Sequence, residues 1–143
     1  MKVNTIGIFA LLAALCVAVP ARAENSDQVR RLLETGECSG CNLAGVNLSG
    51  AQLLGADLRN TNLQGANLSG TNLEGADLTG ANLKDANLTD AFVTNASLDY
   101  AIMTGANLAN AKIYHASTSG AVLTGVNIQN AEVFGSGISV GGD

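Results

Sequence analysis

Between Cys41 and Val140 the chain divides into twenty consecutive pentapeptides without an insertion, and this five-residue period constrains the fold more than any other feature. The third residue of each pentapeptide is Leu in thirteen of the twenty, beginning with Leu43, Leu48 and Leu53. Elsewhere it is Val93, Met103, Ile113, Ile128, Val133 or Ile138, with Thr118 the polar exception. The first residue is Ala in fourteen pentapeptides, the second Asn or Asp in eleven, and the fifth Gly in eleven. A period of five matches neither the 3.6 of an amphipathic helix nor the 2 of an alternating strand. The alternative is a solenoid in which each pentapeptide forms one side and the chain bends between sides. Four sides per coil place Leu43, Leu63, Leu83, Met103 and Leu123 in one stacked column. The first residue must be small, because so narrow a tube has no room for a second large side chain. Gly at the fifth position suits a corner, and the outward Asn, Asp, Ser and Thr are placed to bond nearby backbone groups.

This pattern explains a composition that is 47% hydrophobic but only 3% aromatic, since a tube lined by Leu and Ala needs few large rings. The net charge of -5, with seven Lys and Arg in 143 residues, disfavours direct nucleic-acid binding, which depends on cations neutralising phosphates. A mean hydropathy of +0.24 with 13% charged residues is unlike a disordered chain.

The repeats, read as Ala-(Asp/Asn)-Leu-x-x, resemble those of the pentapeptide-repeat family over about 100 residues. The resemblance implies an all-β solenoid, a right-handed quadrilateral β-helix with four pentapeptides per coil and about five coils. It also implies a short N-terminal capping α-helix, because the entry Leu32-Leu33-Glu34-Thr35-Gly36-Glu37-Cys38-Ser39-Gly40-Cys41 is similar to that of small exported family members of cyanobacteria and plant thylakoid lumens.

Ahead of the repeats, Lys2 precedes an apolar run from Ile6 to Val19, and Ala21-Arg22-Ala23 supplies small residues for a peptidase. Residues 1–23 therefore read as a general secretory signal peptide cut between Ala23 and Glu24. The apolar run is short of the roughly 20 residues that span a bilayer, so no stable membrane anchor is expected after cleavage. The mature chain carries twelve acids against Arg30, Arg31, Arg59, Lys84 and Lys112, a formal charge of -7. The export signal predicts the periplasm or a thylakoid lumen. Residues 24–40 form a capping helix and Cys-containing entry, 41–140 the β-helix, and 141–143 a C-terminal tail. Asn25 or Ser26 is the expected N-cap and Gly36 the stop, with Val29, Leu32 and Leu33 on one apolar face that closes the tube.

Cys38 and Cys41 lie where cap meets rod. In an exported protein they are expected to form a structural disulfide or a buried thiol pair; redox activity lacks a thioredoxin-like context, and a metal site lacks further ligands. No catalytic residues, cofactor or metal are expected: the chain has a single His, His115, and Asp85 and Asp90 fall at adjacent exposed corners. The C-terminus offers no second helix, so either Phe134 and the tail fold over the last coil or that end meets another molecule, such as a second copy end to end.

The surface changes along the rod. Outward positions are polar in the first half apart from Leu54, whereas Phe92, Tyr100, Ile102, Tyr114, Val122 and Phe134 occupy them from Phe92 onward. Exposed apolar area marks interaction sites, and aromatic residues are favoured anchors. The expected function is a non-enzymatic structural or protein-interaction role with an unidentified protein partner. Two alternatives are a DNA-mimicking inhibitor or protector of an enzyme such as gyrase, which the resemblance suggests, and a small-ligand or glycan-binding rod.

Overall fold

The protein is described by a computed structural model in which residues 21–138 are placed. The expected leader up to residue 20, and the tail at 141–143, lie outside the described residues. The described chain is one helix, α1 (Ala21–Thr35), followed by a continuous ladder of pentapeptides. Two of these pentapeptides are extended enough to form short strands, β1 (Lys112–Tyr114) and β2 (Glu132–Phe134), paired in parallel.

Every bridge joins a second-position residue to the one twenty positions on: Asn42 to Asn62, Asn62 to Asn82, Asn82 to Ile102, Ile102 to Val122. Twenty residues is four pentapeptides, so each side stacks on the same side of the next coil. The core follows from this register. Leu43, Leu58, Leu63, Leu68, Leu83 and Leu98 are fully buried, and Ala66, Ala81, Ala91 and Ala101 fill the space between them.

One pentapeptide accounts for all its backbone donors. Around Leu63, the Leu63 N–H donates to the Asn82 carbonyl (2.8 Å) and the Gly65 N–H to the Lys84 carbonyl (2.9 Å), both one coil ahead. The Asn62 N–H donates to the Cys41 carbonyl one coil behind (2.9 Å), and the Ala66 N–H closes a β-turn on the Leu63 carbonyl (3.0 Å). The remaining donor, the Gln64 N–H, is taken by Oδ1 of Asn62 at 3.2 Å. This is why Asn or Asp recurs at the second position: its short side chain accepts the one N–H that neither ladder nor turn can use. The turn requires φ > 0 at its third residue, and Gly65 has φ 64. Where Gly is absent, Asn and Asp mostly take its place, at Asn60, Asp85, Asp90, Asn95, Asn110 and Asn130.

The Asn side chains also pair with each other. Asn62 Nδ2 donates to Asn42 Oδ1 at 3.1 Å, Asn82 to Asn62 at 3.4 Å, and Asn67 to Asn47 at 3.2 Å, forming amide ladders outside the rod. Thr61 and Thr71, which replace the inward Ala, are fully buried. Their hydroxyls donate to the Cys38 and Leu48 carbonyls at 2.7 and 3.0 Å, so burial leaves no donor unpaired.

Three boundaries differ from the sequence expectation. The ladder begins one pentapeptide before Cys41, because Glu37 already bridges Asp57 and Cys38 is fully buried at a central position. Gly36–Gly40 is thus a repeat whose central residue is Cys instead of Leu. Next, α1 runs straight through Asn25 and Ser26, so neither caps it: Ala21 to Glu24 contains no Gly or Pro to stop a helix from extending upstream. Its end is where expected, with Gly36 at φ 74 and its N–H on the Leu32 carbonyl at 2.8 Å. Finally, Leu32 is buried and Val29 partly buried, but Leu33 is 53% exposed. The docked stripe runs through Gln28, Val29 and Leu32, and Leu33 is turned about 100° away from Leu32 on the 3.6-residue helix.

The opposite end is more open. Leu123, Ile128 and Val133 are only partly buried, although Ile138 still joins the core in register. Phe134 does not fold over this end: it is a side residue, 66% exposed.

Candidate interaction surface

The rod places the six apolar surface residues in two groups. Ten residues is half a coil, so the side carrying Ile102 and Val122 lies opposite the side carrying Phe92, Tyr114 and Phe134. Ile102 and Val122 are bridged neighbours, each more than 40% exposed, and Tyr100 stands at the corner leading into their side. On the other side Tyr114 and Phe134 are register partners in β1 and β2, and Phe92 is bridged to Lys112.

The second group is a constructed surface. Lys112 Nζ sits 5.4 Å from the centre of the Phe92 ring, a cation on an aromatic face. Tyr114 donates its hydroxyl to the Glu132 carboxylate. His115 meets Phe134 edge-to-face, with ring centres 5.4 Å apart and planes at 89°. Lys112 and Glu132 were not singled out as surface residues by sequence reasoning, and His115 only as the lone His of the chain, yet adding 20 to Phe92 reaches Lys112 and adding 20 again reaches Glu132. An open depression lined by His115, Ser117, Thr118, Ser119, Gly135 and Gly137 adjoins this group.

Two of these rings sit at corners with left-handed backbone. Tyr100 has φ 58 and His115 φ 54; for a residue as bulky as Tyr that conformation is strained. Each ring lies over a glycine of the next coil. A Cβ on Gly120 would fall 2.7 Å from the Tyr100 ring, and one on Gly135 would fall 2.5 Å from His115 Nδ1.

The apolar second-position residues also forgo a hydrogen bond. Phe92, Ile102 and Val122 have no side-chain acceptor for the N–H two residues on, the role Asn62 plays for Gln64. Phe92 and Ile102 also end the amide pairing of the Asn72 and Asn82 columns, and Val122 continues the second interruption.

Charged groups elsewhere are mostly exposed. Arg59 grips Asp57 with Nε at 2.8 Å and Nη2 at 2.6 Å, and reaches Asp77 at 3.8 Å. The Arg59 hydrogen bond holds the Asp57 carboxyl below its ordinary value, and the same bond raises the Arg59 guanidinium. Among the described residues no group of three or more His, Cys, Asp or Glu is placed to hold a metal ion, and no helix is long and apolar enough to cross a membrane.

Cys38 and Cys41 are joined, with sulfurs 2.05 Å apart and Cα atoms 5.3 Å apart. The bond spans the first corner of the rod, where later corners set Leu against Ala, and the Cys41 N–H makes the ordinary turn bond to the Cys38 carbonyl at 3.1 Å.

Comparison with known proteins agrees with this geometry. A model of pentapeptide repeats matches residues 37–75, 76–113 and 101–136, with eight copies. No curated protein matches the sequence. Among solved structures, a pentapeptide repeat protein of the Arabidopsis thaliana thylakoid lumen is 34% identical, with a TM-score of 0.62, over 64% of this chain and 64% of its own length. The pentapeptide repeat protein Rfr23 of the cyanobacterium Cyanothece 51142 is 32% identical, with a TM-score of 0.64, over 78% of this chain and 92% of its own. The ladder with its twenty-residue register, the family match across it and these neighbours make the chain a member of the pentapeptide-repeat family, whose fold is a right-handed β-helix.

Proposed function

We propose that the protein is a non-enzymatic interaction rod of about five coils that works in an exported compartment and docks a protein partner on the side formed by Phe92, Tyr114 and Phe134. The observation that carries this reading is the replacement of Asn by Phe, Ile and Val at outward second positions in the second half alone. Such a replacement gives up a backbone hydrogen bond and exposes apolar surface. Neither change aids folding, so a gain elsewhere must retain them, and aromatic anchors beside a Lys and a Glu suit a protein surface.

Export is supported by the amino-terminal run of the sequence and by the lumenal neighbour from Arabidopsis. The glycan-binding alternative is weakened by the amide ladders, whose Oδ1 acceptors already serve backbone N–H groups and neighbouring amides.

Photo-cross-linking amino acids at Phe92 and Phe134, compared with Asn62 and Asn72, test the proposal in cells. Adducts with one protein from the first pair only are expected, whereas equal labelling from both pairs contradicts it. An end-to-end pair of copies would use the coil end at Leu123, Ile128 and Val133. Light scattering then shows a mass rising with concentration, and a constant monomer mass removes that mode.

A further inference from the structure

Both sulfurs of the first corner are already provided with the partners that their reduced forms need. Arg31, on the last turns of α1, directs Nη2 at Cys41 Sγ at 2.9 Å and lies 3.9 Å from Cys38 Sγ. Its Nε is fixed by the Glu37 carbonyl at 3.0 Å, so the guanidinium is held in place. Cys38 Sγ sits 3.5 Å from the Gln28 carbonyl, which accepts from a thiol. An ordinary structural disulfide needs neither contact: an oxidised sulfur is neutral and carries no proton. A guanidinium beside a thiolate and a carbonyl beside a thiol both stabilise the reduced state. Ser39, Gly40 and Arg31 are exposed, so the corner lies close to the surface although its sulfurs are covered.

We infer that Cys38-Ser39-Gly40-Cys41 is a redox-active couple that exchanges with a dithiol reductant, with Cys41 the thiolate and Arg31 the residue that positions and stabilises it. In the forward step a dithiol supplies two electrons and leaves as its own disulfide. The Cys38–Cys41 bond breaks, Cys38 takes one proton as a thiol facing the Gln28 carbonyl, Cys41 remains a thiolate against Arg31, and the second proton goes to solvent. The turn hydrogen bond and the ladder bond from the Cys38 N–H to the Asp57 carbonyl at 2.8 Å do not involve sulfur, so cleavage of the S–S bond leaves both in place.

The test equilibrates the full mature chain with graded mixtures of reduced and oxidised dithiothreitol, counting thiols by alkylation and mass. Arg31→Gln is expected to shift the equilibrium toward the disulfide about tenfold, equivalent to about 30 mV for a two-electron couple, while Arg31→Lys shifts it less. In the reduced protein, peptide mapping follows the pH dependence of Cys41 alkylation. Its midpoint is expected below the ordinary thiol value of about 8.5 and to rise in Arg31→Gln. An Arg31→Gln equilibrium within twofold of the parent, or a Cys41 midpoint at or above the ordinary value, overturns the inference. Should Arg31→Gln fail to fold by circular dichroism, the Cys41 midpoint in the parent and in Arg31→Lys decides.

Discussion

The two halves of the rod share one interior and differ in their exterior. From Asn42 to Asn87 the second positions are nearly all Asn or Asp, and each bonds a backbone N–H or a neighbouring amide. From Phe92 onward the sides at Phe92 and at Ile102 abandon this, while the side through Asn87, Asn107 and Asn127 keeps it. Inside, the central residues stay apolar and buried through Ile113, well past Phe92 and Ile102; only beyond that does Thr118 intervene and do Leu123, Ile128 and Val133 become partly buried. Because the same core holds up both exteriors, the loss of amides is local and side-specific, so a failing repeat does not explain it. A solenoid separates the two tasks because the second and third residues of a repeat face opposite ways.

The largest effects are expected in the shared interior. Leu68→Ala, in the middle of the stack, should cost about 2–5 kcal/mol in urea denaturation. Leu123→Ala, on the half-open end coil, should cost clearly less; equal costs would mean that something covers that end.

Next in size is the strained corner. Gly120→Ala puts a methyl group into the Tyr100 ring at a left-handed residue, and should destabilise by roughly 1–3 kcal/mol. Gly45→Ala, with open space around the new methyl, carries only the backbone share of that cost. If the two are equally destabilising, the Tyr100 ring is not held against Gly120.

Smaller still is the amide contribution. Asn62→Ala removes the acceptor for Gln64 N–H and breaks a ladder, with an expected cost of about 0.5–1.5 kcal/mol. The smallest effect belongs to Asp57. Its carboxyl is held below the ordinary 3.8 by Arg59, so the contribution is complete above that value and is lost as the pH falls through the lowered one. Arg59 is exposed and Asp57 only partly buried, so Asp57→Asn should remove only a slight acid sensitivity, seen as a small change in the slope of stability against pH below 4.

How legible each feature was follows from how far its cause extends. The buried columns were readable because one residue type recurs at one spacing, so adding 20 to any Leu names its neighbour. The start of the rod was not, because Cys38 replaces Leu at the central position and disguises Gly36–Gly40 as linker. The upstream extension of α1 was hidden by Asn25-Ser26-Asp27, a run of cap formers that a continuing helix overrides. The two groups of surface residues were readable in the same way, because a twenty-residue coil puts Phe92, Tyr114 and Phe134 on one side and Ile102 and Val122 on another. The contacts of Arg31 with the sulfurs depend on how a helix docks on the tube end, which no repeat encodes.

The central claim is that Phe92 occupies a ladder position for the sake of a partner and not for the fold. The most direct test is Phe92→Asn, which restores an acceptor for the N–H of Thr94 and extends the column of Asn72. The account predicts a urea midpoint equal to or above that of the parent, together with loss of the partner that cross-links at Phe134. A less stable rod, or undiminished cross-linking at Phe134, would contradict it.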